Sequence, residues 1–484
     1  MSHRLSLIRL LAIPALILAN VQFVFGILST VLFNDGVAWF FFEPALVIAS
    51  LALTILLLTR HDLIQDISYR QALLFVTLSW IICGFAAAIP ICLIEPVSFT
   101  DAVFEAISGL TTTGATILVN LDVQPESFLM YRQFLQWLGG MGVVVFVVAI
   151  VPMLNIGGMK IFRTETPGPA KDEKLAPRIQ HTARHLWTIY LVITLLCTLS
   201  YYLAGMNLFD AFAHSFTTVS TGGFSTHDAS MGYFGSHLIE MISVVFMLLG
   251  TISFALHFRF ARQHHPQVYL KDEETRDFLL TAIFLGLILF GILLYFHVYT
   301  GTSESIFQPA FHLVSFMTST GFAAGDFTHW PVITAMLLIF AGYIGGCAGS
   351  TAGGKKMIRN IICMKVVFRQ IQQLIHPRGM FVITYKHKTV SEEVSSATMS
   401  YMVAAATLTM VFSVMLQATG LDFWTAFTAV AACLNVLGPA FGELGNNFQP
   451  VNDIGTWILS FTMLLGRLEF YCVLVLLTPA YWRY

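Results

Sequence analysis

Apolar residues occur along this chain in runs of two lengths. A helix of about 20 residues crosses the hydrocarbon core of a bilayer, whereas one of about 12 residues does not. After two long runs, the order of long run, short apolar segment and second long run occurs four times. The ten predicted long spans lie near residues 10–33, 38–58, 69–88, 134–154, 186–204, 239–256, 278–298, 333–364, 400–418 and 454–477.

Each short segment ends in a four-residue stretch with glycine at its last position, called here a glycine phrase. The four phrases are TTTG (Thr111–Gly114), STGG (Ser220–Gly223), TSTG (Thr318–Gly321) and NVLG (Asn435–Gly438). A fourfold repeat in an apolar chain predicts four similar units around one axis. We expect an accessory unit over residues 1–60 and repeat units over residues 61–158, 159–262, 263–375 and 376–484.

The short segments are predicted to be re-entrant half-helices that enter from the outside and turn back. Such a helix points its negative C-terminal dipole at the membrane interior, and glycine lets the returning backbone aim carbonyl groups at an axis. Carbonyl rings replace the water shell of K⁺ in channels. A helix-ending turn would explain one phrase alone, but not four in register. The candidate ion-binding residues are Thr111, Thr112, Gly114, Ser220, Thr221, Gly223, Thr318, Ser319, Gly321, Asn435, Val436 and Gly438.

Composition supports a membrane protein. Of the 484 residues, 56% are hydrophobic and 11% are charged, and the mean hydropathy is +0.75. Soluble domains carry about 25% charged residues. The predicted fold class is therefore an all-α polytopic membrane protein, with two accessory N-terminal spans and four span–pore loop–span repeats around a central pore. The seven scattered cysteines show no metal-binding spacing and are interpreted as small apolar residues.

Charge placement predicts the topology. With cytoplasmic N- and C-termini, the predicted inner segments hold nearly all of the 25 Lys and Arg residues, and Arg132 and Arg467 are the exceptions. This satisfies the positive-inside rule and places every glycine phrase on the outer side. Acidic residues follow three of the phrases, at Asp228, Asp326 and Glu443. We therefore expect an acidic outer vestibule that concentrates cations.

A glycine-rich loop interrupts the second long span of the third repeat. Its candidate gating residues are Gly345, Gly346, Gly349, Gly353 and Gly354. Because glycine costs about 1 kcal/mol in a helix interior, the segment should unwind below the third phrase, as a movable constriction or as a packing site for a neighbouring helix. The stretch from Gly349 to Lys355 resembles a phosphate-binding P-loop, but Lys356 stands where that motif needs Ser or Thr.

Arg467 is predicted to lie at membrane depth, where a charge is costly and usually functional. It would form a positive barrier below the phrases, or a structural pair with Glu469 or with loop carbonyl groups; both can hold together. His214 and His312 lie in the half-helices and are interpreted as hydrogen-bonded polar groups rather than pH sensors.

The glycine phrases occur together with WLGGMGVVV (Trp137–Val145), RTETPGPAKDEKLAPRI (Arg163–Ile179) and GGCAGSTAGGKKMIR (Gly345–Arg359). With these motifs the whole chain resembles the TrkH branch of the Trk/Ktr/HKT potassium transporters. The resemblance implies one pore in a bacterial inner membrane, a homodimer, and a cytosolic nucleotide-binding subunit of TrkA type. It also implies selection of K⁺ and Rb⁺ over Na⁺ and a gating role for the glycine-rich loop and Arg467. The fourth phrase departs most from the family pattern, because it lacks hydroxyl side chains.

Potassium uptake through a gated selectivity filter is therefore the expected function, with K⁺ as transported ion and no covalent cofactor or nucleic-acid partner. A K⁺ symporter coupled to Na⁺ or H⁺ is the alternative. An ATP-using membrane enzyme, based on the P-loop resemblance, is a remote one. The sequence shows no Ser/His/Asp spacing, metal cluster or paired acids typical of an enzyme.

Overall fold

The computed structural model describes residues 2–60, 68–145, 175–299, 301–386 and 388–483. In these residues the regular structure is helical apart from one short antiparallel hairpin, Thr384–Tyr385 (β1) with Lys388–Thr389 (β2), in which Thr384 lies opposite Thr389. The predicted all-α architecture is therefore confirmed. Residues 146–174, which include the end of the predicted span 134–154 and most of the motif Arg163–Ile179, lie outside the described residues.

Two helices form the accessory unit, and each repeat consists of an outer span, a half-helix and a second span. The accessory helices are α1 (Ser2–Leu28), extended by a π-helical turn at Ser29–Phe33, and α2 (Ala38–Leu58). Repeat 1 contains α3 (Tyr69–Ile94), α4 (Phe99–Thr111) and α5 (Glu126–Val145). Repeat 2 contains α6 (Leu175–Leu203), α7 (Leu208–Val219), α8 (His237–Thr251) and α9 (Phe254–Gln263).

A short helix, α10 (Gln267–Lys271), leads into the second half of the chain. Repeat 3 contains α11 (Glu273–Tyr295), α12 (Thr302–Met317), α13 (Val332–Ile344) and α14 (Met357–Ile375). Repeat 4 contains α15 (Glu392–Gln417), α16 (Phe423–Leu434), α17 (Asp453–Arg467) and α18 (Phe470–Leu476), and α19 (Pro479–Trp482) follows.

The outer spans are the continuous apolar helices of the molecule. Among the described residues, six helices are long and apolar enough to cross a membrane, and they belong to α1, α2, α3, α6, α11 and α15. These are the accessory pair and the outer span of every repeat. The second spans are broken in three repeats: α8 and α9 meet at 97°, α17 and α18 meet at 118°, and the glycine-rich loop separates α13 from α14.

The spans predicted near 239–256 and 454–477 are therefore each formed by two helices that meet at a sharp bend. Backbone contacts explain the first bend, because the amide of Cys347 donates to the carbonyl of Thr251 at 3.1 Å and the amide of Phe254 donates to the carbonyl of Gly349 at 3.1 Å. The loop thus satisfies polar groups that a bend in a membrane helix would leave unpaired. At the second bend Glu469 has a φ of 64°, a backbone conformation outside the helical region.

All four half-helices are too short to span the bilayer, and three of them begin at a side-chain cap. Ser98, Asn207 and Asp422 accept hydrogen bonds from backbone amides in the first turns of α4, α7 and α16. Such caps satisfy amides that have no partner within the helix. The third half-helix, α12, starts at Thr302 and has no side-chain cap.

The repeats close into a ring. Each half-helix packs against the outer span of its own repeat and against the second span of the preceding repeat. The pairs between repeats are α5 with α7, α8 with α12, α13 with α16, and α17 with α4. The last pair joins repeat 4 to repeat 1, so the C-terminal ends of the four half-helices surround one axis.

Candidate ion filter and gate

The four glycine phrases contact one another in cyclic order and form what we call the glycine ring. A Cβ atom added to Gly114 would overlap the carbonyl oxygen of Gly222, and one on Gly223 would overlap that of Thr320. A Cβ on Gly321 would overlap the carbonyl oxygen of Leu437, and one on Gly438 would lie 2.7 Å from that of Thr113. Each glycine thus abuts the third residue of the next phrase. The ring has no room for a side chain at these positions.

Each half-helix ends in the same way. The residue at the second phrase position has a positive φ, at Thr112 (56°), Thr221 (53°), Ser319 (55°) and Val436 (56°), and so does each glycine. The amide of the third residue donates to a carbonyl five residues earlier at 2.8 to 2.9 Å in all four copies. This is a Schellman ending, which usually places glycine at the left-handed position. The sequence predicted an unusual backbone conformation at the phrase glycines, but not at the second positions.

The left-handed residues carry a local conformational cost. A positive φ is uncommon for residues with a Cβ atom and is a genuine outlier for a β-branched residue such as Val436. Such strain costs of order 1–3 kcal/mol and persists only where the surroundings impose it. All four second-position residues are fully buried. The packing around the ring therefore holds a backbone shape that the local sequence would not adopt alone.

An open cavity of about 700 Å³ lies on one side of the ring and is lined by all four phrase glycines. Asp228 and Asp326 also line it, as predicted, but Glu443 is not among its lining residues. Hydrogen bonds from the hydroxyl and amide of Thr328 lower the pKa of Asp326, so this carboxylate is charged at neutral pH. The cavity is an acidic mouth to the ring.

Arg132 also lines this cavity, yet its charge is compensated. Its guanidinium forms a fully buried ion pair with Glu105 of α4, in which Nε donates at 2.9 Å. Glu105 also accepts the amide of Ile117 at 3.1 Å, just beyond the first phrase. Sequence reasoning left Arg132 without a role. Their pairing could have been predicted, because Glu105 and Arg132 are opposite charges in neighbouring apolar segments.

The glycine-rich loop (residues 345–354) is buried and hydrogen-bonded to three half-helix ends. The hydroxyl of Thr351 lies 3.1 Å from the carbonyl oxygen of Val219. The amide of Gly353 donates to the Ser319 hydroxyl at 2.5 Å, and that of Gly354 to the carbonyl of Asn435 at 2.9 Å. Together these bonds hold the loop directly against the end of the glycine ring opposite the acidic mouth.

Arg467 reaches the same loop. Its Nη1 donates to the carbonyl oxygen of Thr351 at 2.8 Å, whereas Nε and Nη2 are buried and make no hydrogen bond within the described residues. The predicted contact with loop carbonyls is thus present. The alternative pair with Glu469 is not, because Glu469 pairs with Arg359 at 2.8 Å, whose guanidinium lies 3.9 Å from the ring centre of Tyr401.

The two half-helix histidines are hydrogen-bonded inside the protein. Nδ1 of His214 lies 2.9 Å from the carbonyl of Asp210 and its Nε2 lies 2.9 Å from the hydroxyl of Ser225. Nδ1 of His312 lies 2.9 Å from the carbonyl of Gln308. The contacts of His214 fit the structural interpretation, whereas Nε2 of His312 is buried and has no hydrogen-bond partner within the described residues. The P-loop resemblance finds no matching context either, since Gly349–Lys355 follows helix α13 rather than a strand.

Comparison with known proteins gives consistent matches over the chain. The TrkH family model, described as a cation transport protein, matches residues 40–484. The Trk system potassium uptake protein TrkH of Vibrio parahaemolyticus serotype O3:K6 (strain RIMD 2210633) is 46% identical over 428 residues, which are 88% of either chain. The protein of the same name from Escherichia coli (strain K12) is 42% identical over 420 residues, covering 86% of this chain and 87% of its own. The crystal structure of the potassium transporter TrkH from Vibrio parahaemolyticus matches with a TM-score of 0.92 at 40% identity, over 99% of both chains.

Proposed function

The chain belongs to the TrkH family of cation transport proteins, and from this premise we propose that it takes K⁺ up across a bacterial inner membrane through one selective pore. The observation that carries the proposal is the closed ring of four glycine phrases, which lies between an acidic cavity and a buried loop. The relatives at 42–46% identity are named potassium uptake proteins, and this supports the same substrate.

In this proposal the glycine ring is the selectivity filter. Four half-helix C-termini converge on the axis, and each contributes roughly half a negative charge from its dipole. Left-handed residues at the second and fourth phrase positions let the intervening carbonyl groups face the ion in place of water. K⁺ and Rb⁺, which lose their hydration shells more readily than Na⁺, are the preferred ions. The first two residues of each phrase hold the innermost site, with the glycines just outside it.

The glycine-rich loop is the gate, in its closed position here. It fills the inner side of the ring and is held by hydrogen bonds to the ends of α7, α12 and α16. Conduction requires those bonds to break. Arg467 adds a buried positive charge beside the loop and donates to it, which favours closure both electrostatically and by hydrogen bonding.

The family also suggests partners. We place the protein as a homodimer with cytoplasmic termini, regulated by a cytosolic nucleotide-binding subunit of TrkA type. A cavity of about 760 Å³ on the predicted inner face supports the docking of such a subunit, because several basic residues and two acidic ones line it. Its charged and titratable lining residues are Arg259, His265, Lys271, Asp272, Glu273, Arg276 and Lys386.

The deciding experiment measures ion flux into liposomes that contain only this purified chain, with K⁺, Rb⁺, Na⁺ and Li⁺ compared in the absence of ATP and of other ion gradients. We expect K⁺ and Rb⁺ flux at least about tenfold above Na⁺. Uptake that requires a Na⁺ or H⁺ gradient would instead establish the symporter. ATP hydrolysis by the purified chain would support the enzyme alternative.

A further inference from the structure

The third residue of the glycine phrase is not held by the same contact in all four repeats. In repeats 1 and 3 it is a threonine whose hydroxyl lies 2.7 Å (Thr113 to Thr111) or 2.8 Å (Thr320 to Thr318) from that of the first residue. In repeat 4 it is Leu437, whose Cδ2 lies 2.9 Å from where a Cβ of Gly342 would stand. In repeat 2 it is Gly222, which has no side chain to brace.

A glutamine from repeat 1 takes the place of that missing side chain. Gln136 of α5 donates from Nε2 to the carbonyl of Gly222 at 2.7 Å and accepts the amide of Phe224 on Oε1 at 3.1 Å. These two bonds bracket Gly223, the ring glycine of the second phrase. A Cβ on Gly222 would lie 2.5 Å from Cδ of Gln136 and 3.0 Å from its Cβ. The fully buried glutamine thus occupies the space that a side chain at position 222 would need.

The equivalent positions of the other repeats are apolar. In each second span a glycine packs against the end of the half-helix of its own repeat; these glycines are Gly139, Gly250, Gly342 and Gly466. Three residues earlier stand Gln136, Met247, Ile339 and Met463. The single polar residue of this set faces the single phrase with glycine at its third position. The glutamine and the glycine are therefore complementary.

Arg132, one turn before Gln136 on α5, supports the same backbone segment. Its guanidinium lies 4.4 Å from the ring centre of Phe224, the residue that follows Gly223. Helix α5 thus holds both the backbone and the side chain of Phe224. Within the described residues, the second spans of repeats 2 to 4 make no such side-chain hydrogen bond to the third residue of the next phrase, because the bonds of Thr113 and Thr320 come from their own phrases.

We propose that Gln136 is a positioning residue for ion selectivity, which fixes the Gly222 carbonyl and the left-handed backbone of Gly223 in their ion-binding arrangement. This inference rests on the proposed function of the glycine ring as a filter. Loss of the two buried hydrogen bonds should let the second phrase relax, and then Na⁺ is excluded less well.

The test compares Gln136→Met, which matches Met247 and Met463, with wild type in the liposome assay. We expect the K⁺ to Na⁺ flux ratio to fall about tenfold, the effect of one to two lost hydrogen bonds. Gln133→Met is the matched control, because Gln133 is equally buried on α5 and its side chain has no hydrogen-bond partner within the described residues. Its ratio should stay at the wild-type value.

A second pair of variants tests complementarity. Gly222→Thr alone would collide with Gln136 and should lower the ratio. Gly222→Thr combined with Gln136→Met provides a hydroxyl beside Ser220, as in repeats 1 and 3, and should recover at least about half of the lost selectivity. If Gln136→Met does not fold, this double variant decides, and its failure to give selective flux would contradict the inference. So would an unchanged ratio in Gln136→Met. A non-selective wild type would instead overturn the proposed filter itself.

Discussion

The glycine ring and the glycine-rich loop lie against each other but are built on opposite principles. The ring has four copies of one Schellman ending, with strained residues held by packing around a closed circle. The loop occurs once, and hydrogen bonds to the carbonyl groups and hydroxyl of the ring helices hold it in place. In the proposed function the ring is a filter that must keep its shape while ions pass, whereas the loop is a gate that must release. Their opposite constructions match these opposite needs.

The strongest test of the difference between ring and loop is to add a side chain inside the ring, where we expect the largest loss of flux. In Gly223→Ala the new Cβ overlaps the carbonyl oxygen of Thr320, which cannot move without distorting the next phrase. Overpacking of this kind costs about 3 kcal/mol, so selective K⁺ flux should fall about a hundredfold in the liposome assay.

The matched control is Gly205→Ala. Gly205 also has a positive φ, of 108°, but nothing lies within 4 Å of an added Cβ. This variant therefore carries the backbone strain without the collision and should keep selective flux. Equal losses in both variants would show that strain, rather than the closed ring, sets the effect.

A smaller effect is expected on the gate side from Arg467→Gln. The change removes a buried charge beside the loop, and a like-charge barrier of about 1–2 kcal/mol predicts K⁺ flux about tenfold faster, with an unchanged K⁺ to Na⁺ ratio. Arg467→Lys keeps the charge and should conduct slowly, like wild type. A fall in the flux ratio would place Arg467 in the filter instead of the gate.

Removal of one loop hydroxyl should act in the same direction with a smaller magnitude. Thr351→Val removes the contacts of its hydroxyl with the carbonyls of Val219 and Gly250 while keeping the side-chain volume. One hydrogen bond is worth about 1 kcal/mol, which predicts about fivefold faster flux. Thr334→Val, which loses a hydroxyl bond to Pro331 far from the ring, is the control. The hypothesis fails if both variants behave alike.

The smallest effect concerns the outer mouth. His227 lies 2.5 Å from Asp122 and 3.3 Å from Asp210. Burial alone would lower its pKa, but the two carboxylates outweigh burial and raise the pKa above 6.5. The folded state binds this proton more tightly, so the stabilisation is complete below pH 6.5 and is lost as the pH rises through the raised folded pKa.

Melting temperatures measured between about pH 6 and pH 9 would detect this pH-dependent stabilisation by His227. His227→Asn should reduce the loss of stability at alkaline pH by at most about 1 kcal/mol. The control is His329→Asn, because His329 pairs with Asp326 on the surface, where 86% of its side chain is exposed. An identical slope in wild type and His227→Asn would refute the contribution.

The repeated parts of the molecule could be predicted from sequence because their signal is local. The four phrases, the half-helices that precede them and the unwound loop all follow from glycine placement and segment length. The bends after Thr251 and Arg467 could not be predicted, because the groups that stabilise them come from distant residues such as Gly349 and Arg359. The same reason hid the pairing of Glu469 and the role of Gln136. A charge within an apolar run singled out Arg467 in the sequence, but its partner, the carbonyl of Thr351, is seen only in the folded structure.

Closure of the ring through α17 and α4 has a consequence for biosynthesis. The first half-helix leaves the ribosome long before α17, its neighbour across the ring, has been made. Until α17 emerges, α4 lacks one wall and its strained turn at Thr112 lacks full support. Insertion can proceed repeat by repeat, whereas the ring closes in a single late step. A chain truncated before Asp453 should therefore lose order at its beginning as well as at its end.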